Sequence, residues 1–177
     1  MRFVYGKQEM RSLSRSQESC FLLTNGLGGY ASLTAAYSAN RCDQGVLIAA
    51  QKAPGERVTL VHRLRETLTV DGKPYWLSTQ QFADGTQPED GFRNLSFFAF
   101  ENIPHWRYHI GGVRVTRTMA MTYGQNTTAV IYKVENQSNA ACSLTVDPFV
   151  KFGPKETAIK AAPNISFSQG KVMGDKY

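Results

Sequence analysis

No stretch of this chain approaches the roughly 20 consecutive apolar residues that a bilayer-spanning helix requires. The opening residues, MRFVYGKQEMRSLSRSQES, are polar and charged and lack the apolar centre of a secretory signal. These two absences lead to the expectation of a cytoplasmic protein with no membrane partner. Cysteine is scarce, with three residues in all, Cys20, Cys42 and Cys142, and no C-x-x-C pair for zinc or redox work. They are expected to be reduced and mostly buried. No G-x-S-x-G occurs, which removes the nucleophile elbow of a serine hydrolase. Acidic residues are fewer than basic ones, 14 against 20, for a net charge of +6. The Lys and Arg residues are nevertheless spread along the chain, and no RNA-binding aromatic signature accompanies them. Nucleic acid is therefore not expected as a partner, and the charge serves solubility. Also lacking is any segment with an apolar stripe at helical spacing.

What is present is alternation. In VTLVHRLRETLTV, Val58, Leu60, Leu64, Leu68 and Val70 fall on one face of an extended chain, with Thr59, Arg63, Arg65, Thr67 and Thr69 on the other. Asp71-Gly72 at its end is a hairpin signal. A second hairpin joins HWRYHI to VRVTRT through Gly111-Gly112. A two-residue turn there pairs Ile110 with Val113, Tyr108 with Val115 and Trp106 with Arg117, so Trp106 is placed to stack on the Arg117 guanidinium. His105, Arg107, His109, Arg114 and Thr116 then point the other way. AVIYKVE sets Val130, Tyr132 and Val134 on one face, and a turn over residues 136–139 returns the chain into CSLTV, with Cys142, Leu144 and Val146 inward. Pro148 ends that strand or marks a sheet edge. ISFSQGKVM resembles the start of another hairpin, and KVMGDKY stops inside what reads as a strand pair. Many strands with close turns predict an all-β fold, an antiparallel β-sandwich. The expected organisation is a polar segment over 1–18, with Arg11 and Arg15 in a solvated tail, and a sandwich domain over 19–177 truncated at its C-terminal end.

Candidate chemistry is sparse. His105 and His109 lie four apart on a strand, well over about 10 Å at a rise of about 3.4 Å per residue, so they do not share a metal. His62 sits on the apolar face of its strand and reads as a core histidine. Asp84, Glu89 and Asp90 in FADGTQPEDGF read as solvated loop charges rather than paired glycosidase acids. The Asn-x-Ser/Thr sequences starting at Asn94, Asn126, Asn136 and Asn164 read as turn chemistry. No catalytic residue, metal site or cofactor is expected.

One stretch stands apart. In TNGLGGYAS, Gly26, Gly28 and Ala31 match G-x-G-x-x-A, the phosphate-cradling turn of a dinucleotide-binding unit. That reading needs a βαβ unit with an acidic residue about 20 positions on. The next apolar run, GVLIAA, ends in QKAP without a carboxylate; Asp43 comes too early, and Glu56 lies beyond Pro54-Gly55. The other physical reading is a tight turn, in which Gly26, Gly28 and Gly29 supply positive φ and close backbone approach.

TNGLGGYAS resembles the signature of the N-terminal domain of bacterial and archaeal glycogen debranching enzymes of the amylo-α-1,6-glucosidase type. The family's following N-T-R-x-Y-H-G-L-L is matched by Arg41, Gly45 and Leu47, whereas Asp43 and Gln44 replace its Tyr and His. RVTLVHRLRETLTVDGKPYWLST is similar to the strand pair beginning L-x-E-x-L. The segment ending MTYGQNTTAVIYKVEN is similar to M-x-x-G-x-N-T-x-x-V-x-Y. The similarity spans about residues 19–150, after which the family's Arg-Asp pair is missing from KFGPKETA. The resemblance implies a large β-sandwich that precedes a separate (α/α) barrel, where two carboxylic acids hydrolyse α-1,6-linked glucose. It implies a non-catalytic role for this chain, with the barrel as partner and α-glucan as a possible ligand. Asn25, Gly26, Gly28, Gly29, Tyr30 and Arg41 are then the substrate-binding or domain-interface residues. Two readings of that loop stay open, a structural element at a domain interface and direct sugar contact. The alternatives for the whole chain are a free-standing carbohydrate-binding module and a nucleotide-binding domain.

Overall fold

Alternation of apolar and polar side chains dictates where each strand turns its faces, and the computed structural model shows two antiparallel sheets built on it. It describes residues 3–52, 55–82 and 88–157. The strands are β1 (Phe3–Gly6), β2 (Leu23–Thr24), β3 (Tyr30–Ser32), β4 (Gly45–Lys52), β5 (Glu56–Val70), β6 (Lys73–Trp76), β7 (Thr79–Gln80), β8 (Glu89–Asp90), β9 (Leu95–Phe100), β10 (Pro104–Ile110), β11 (Val113–Met121), β12 (Thr128–Asn136) and β13 (Cys142–Pro154). One sheet runs β1-β9-β10-β11-β12; the other runs β13-β5-β4-β3-β2, with β6 also on β5, and β7 and β8 pair separately. The fold is an all-β sandwich. Among the described residues, no helix is long and apolar enough to cross a membrane.

The β10–β11 hairpin has the expected register, with Ile110 opposite Val113, Tyr108 opposite Val115 and Trp106 opposite Arg117. Gly111 and Gly112 have φ of 54° and 79°, the pair of positive values that a tight hairpin turn demands. The inward row Trp106, Tyr108, Ile110, Val113, Val115 and Met119 is buried and packs against Leu23, Ala31, Val46, Leu68 and Val70 of the second sheet. Each such large side chain taken from water contributes about 1.5–3 kcal/mol. The Asp71-Gly72 turn also forms, joining Val70 to Lys73.

Four expectations are modified. Residues 3–18 are not a solvated tail: β1 pairs with β9, Met10 is in the core, and a short α-helix spans Leu13–Glu18. Arg11 and Arg15 themselves are exposed. The strand after the 136–139 turn does not fold back on β12 but crosses to the other sheet, where Leu144 faces Leu68 and Cys142 faces Val70. Pro148 lies within β13, which is an edge strand, so its missing N–H costs no ladder bond on the open side. In β5 the alternation slips: Arg63 pairs with Phe149 and Val61 with Val150, leaving His62 as an extra residue. As a result Val61, Leu64, Leu68 and Val70 meet the core while Val58 and Leu60 do not, and His62 is only half-buried. Finally, Cys20 and Cys42 are exposed rather than buried; all three thiols are free. The C-terminal hairpin expected at ISFSQGKVM lies outside the described residues.

Candidate functional site

The glycine stretch closes a hairpin. Leu23 pairs with Ala31 and Thr24 with Tyr30, so residues 25–29 form a loop between two antiparallel strands. No helix follows the loop, and β4 pairs antiparallel with β3. The phosphate-binding reading of G-x-G-x-x-A is thereby overturned, because its anion site is a helix N-terminus behind a parallel strand. Gly26 and Gly28 have φ of 79° and 93°, values that strain any side chain. Gly29 serves differently: a Cβ there would lie 2.6 Å from both Asn126 Oδ1 and Asn25 Nδ2.

Asn25 is fully buried and is used up inside the chain. Its Oδ1 accepts from the Leu27 and Gly29 N–H groups, each at 2.9 Å, and its Nδ2 donates to Gln125 O at 2.9 Å and Asn126 Oδ1 at 3.0 Å. The amide therefore organises the loop and offers nothing outward. Asn126 carries the tie further, donating to Ala50 O and accepting from Ala50 N on β4. Gly124 N donates to Asn25 O at 2.7 Å. Two motifs a hundred residues apart, TNGLGGY and MTYGQNT, thus interlock at one end of the sandwich. Other Asn-x-Ser/Thr sites also serve turns, since Asn94 caps a short 3-10 helix and Asn136 organises the turn after β12; Asn164 lies outside the described residues.

Beside the loop is an open cleft of about 510 Å³ lined by Gly28, Gly29, Tyr30 and Arg41. Asp43, Arg57 and Lys155 complete its charged wall, and Leu22 adds an exposed apolar edge. Of the six expected residues, four meet here; Asn25 and Gly26 stand behind them. Arg57 Nε donates to Gly28 O at 2.6 Å, and its guanidinium stands 5.9 Å from the Tyr30 ring centre. The Tyr30 hydroxyl donates to Asp43 O at 2.8 Å, and burial raises its pKa, so it remains a donor. Arg41 pairs with Asp43 at 3.3 Å and is more than half exposed. The two departures from the family pattern build this turn: Gln44 is buried, and its Oε1 accepts from Asn40 N and Arg41 N. Cations and a carboxylate placed together suit hydroxyl groups, which both donate and accept.

Sequence reasoning missed two buried ion pairs. Glu66, on the core side of β5, is salt-bridged to Arg117 of β11, and both are fully buried. Tyr132 donates to Glu66, and Arg117 Nη2 donates to the Tyr108 hydroxyl at 2.7 Å. The Arg117 guanidinium lies 3.2 Å from the Tyr37 ring centre and 4.5 Å from that of Trp106, which is the anticipated stack. Burial is the strongest influence and works against the Arg117 charge, but Glu66 together with Tyr108, Tyr37 and Tyr132 outweighs it; the net shift is upward and the guanidinium stays protonated. The available signal was an acid at Glu66 on an otherwise apolar face. The second pair joins Arg63 to Glu89, with Ser78 Oγ donating to Glu89 Oε2 at 2.7 Å. Glu89 is therefore not a solvated loop charge; it is buried in a structural pair, while Asp90 pairs with Arg93 at the surface and Asp84 lies outside the described residues. His105 and His109 have separate partners, Thr118 and Arg114.

A family model described as the glycogen debranching enzyme N terminal matches residues 20–176. Neither the curated proteins nor the solved structures compared with the chain give a match.

Proposed function

The chain belongs to the family of glycogen debranching enzyme N-terminal domains, and from that membership we propose that it packs on a catalytic (α/α) barrel and shapes one wall of an α-glucan cleft. The role is non-catalytic and belongs to cytoplasmic glycogen breakdown. The observation that carries this reading is the cleft beside the glycine hairpin. Gly28, Gly29 and Tyr30 line it with Arg41, Asp43, Arg57 and Lys155, a mixture of both charge signs and one ring suited to a neutral polyhydroxylated chain. Of the three loop acids Asp84, Glu89 and Asp90, Glu89 is paired with Arg63 and Asp90 with Arg93, while Asp84 lies outside the described residues.

Two measurements test the proposal. The chain alone is expected to release no glucose from limit dextrin, and glucose release that persists through purification would assign chemistry to it. In affinity electrophoresis its mobility is expected to fall in gels containing glycogen, and to recover on Arg57→Ala, which removes the guanidinium from the cleft wall. Mobility unchanged by glycogen would leave packing against the barrel as the whole role.

A further inference from the structure

Among the described residues, the most exposed of the large hydrophobic side chains is Tyr123, at 86%. An aromatic ring left in water on a loop is not unusual by itself. Its mounting is. The ring lies against Gly26 so closely that a Cβ there would stand 2.5 Å from Cε2 and 3.0 Å from Cζ. The turn beneath it is closed by Thr122 N donating to Thr127 O and Gln125 N donating to Thr122 O. That turn is fastened to the glycine loop through the buried Asn25 and to β4 through Asn126. One edge of the ring is thus backed by glycine while the remainder faces solvent, and no hydrogen bond to its hydroxyl is found among the described residues. Leu27, nearly half exposed, lies on the same loop, and the next two residues, Gly28 and Gly29, line the cleft.

We infer that Tyr123 is a stacking platform for one glucose ring of an α-linked glucan whose neighbouring hydroxyls enter the cleft beside Arg57 and Tyr30. The inference rests on the glucan reading above and adds to it a residue and a mode of contact. A sugar presents C–H groups on its face and hydroxyls at its rim. A pre-oriented ring next to donors and acceptors of both signs matches that pattern. A protein interface would instead require the surrounding surface to be apolar at its centre, whereas the cleft that begins at Gly28, two residues from Gly26, is lined by Arg41, Asp43, Arg57 and Lys155. Because the loop is held from beneath, little ordering cost is incurred when the ligand stacks.

The test is calorimetric titration of the protein with maltoheptaose, with thermal melts on every variant. Tyr123→Ala is expected to weaken binding roughly tenfold, the scale of one lost aromatic contact. Its melting temperature should be unchanged, since an exposed ring contributes little to the core. Tyr123→Phe is expected to stay within about twofold, because the face of the ring is kept. If Tyr123→Ala binds as the parent does while Arg57→Ala binds less tightly, the platform is refuted and the cleft reading stands. If Tyr123→Phe loses as much as Tyr123→Ala, the hydroxyl is the contact and stacking is refuted. If the parent protein itself takes no maltoheptaose, the glucan reading falls and this inference with it.

Discussion

At position 29 a side chain has nowhere to go. Its Cβ would stand 2.6 Å from the amide of Asn25, whose four hydrogen bonds hold the loop, so Gly29→Ala must break some of them. A cost of about 1–3 kcal/mol is expected, from the unsatisfied buried polar groups left behind. Gly55 has open space around it, and Gly55→Ala is expected to be neutral or slightly stabilising. Urea midpoints of the two variants make the comparison. His62 supplies a pH test at the same scale. Burial, and then the Arg63 charge, hold its imidazole below the ordinary 6.5, against a hydrogen bond to the Gln44 backbone. The unfolded chain therefore binds the proton more readily than the folded one. Stability is fully present above about pH 6.5 and declines as the pH falls through that value. Melts between pH 7.5 and 5 should show less of that decline in His62→Gln.

Between elements, the two sheets meet through the Glu66–Arg117 pair as well as through apolar contact. β5 supplies the acid and β11 the base, and Tyr37, Tyr108, Trp106 and Tyr132 enclose them. Removing one charge strands the other in the core, so Glu66→Gln is expected to cost about 3–5 kcal/mol in chemical denaturation. The double variant Glu66→Leu with Arg117→Met is expected to recover much of that loss, because no buried charge is then left alone. A double variant as unstable as the single one would show that packing, not charge pairing, dominates the site. The hairpin of β10 and β11 was legible because a strict two-residue period on each side of a Gly-Gly turn admits one register. β5 was legible only from Leu64 onward, since the bulge at His62 reverses the faces without any marker in its own residues.

For the whole molecule, the six expected site residues separate into two ranks. Gly28, Gly29, Tyr30 and Arg41 line the cleft, while Asn25 and Gly26 build what stands behind it. This division follows from contacts across a hundred residues, between the loop at 25–29 and the turn at 122–127. Arg57 and Lys155 join the same cleft from neighbouring strand ends, β5 beginning where β13 finishes, and Lys155 N donates to Arg57 O at 3.3 Å. Predictions about glucan therefore belong to the assembled end of the sandwich. Disrupting the tie by Asn126→Ala should weaken retardation in glycogen gels although Asn126 is not among the residues lining the cleft.

The sequence alone determined that the protein is a β-sandwich, the register of its central hairpin, and the glycine stretch as its most distinctive feature. Alternation and turn residues act between neighbours in the chain, so they can be read without knowing the fold. Only the tertiary structure decided that Asn25 faces inward, that Glu66 and Glu89 are paired in the interior, and that Tyr123 stands exposed over Gly26. Each of those outcomes depends on which distant strand lies alongside, and chain-local periodicity carries no information about that choice.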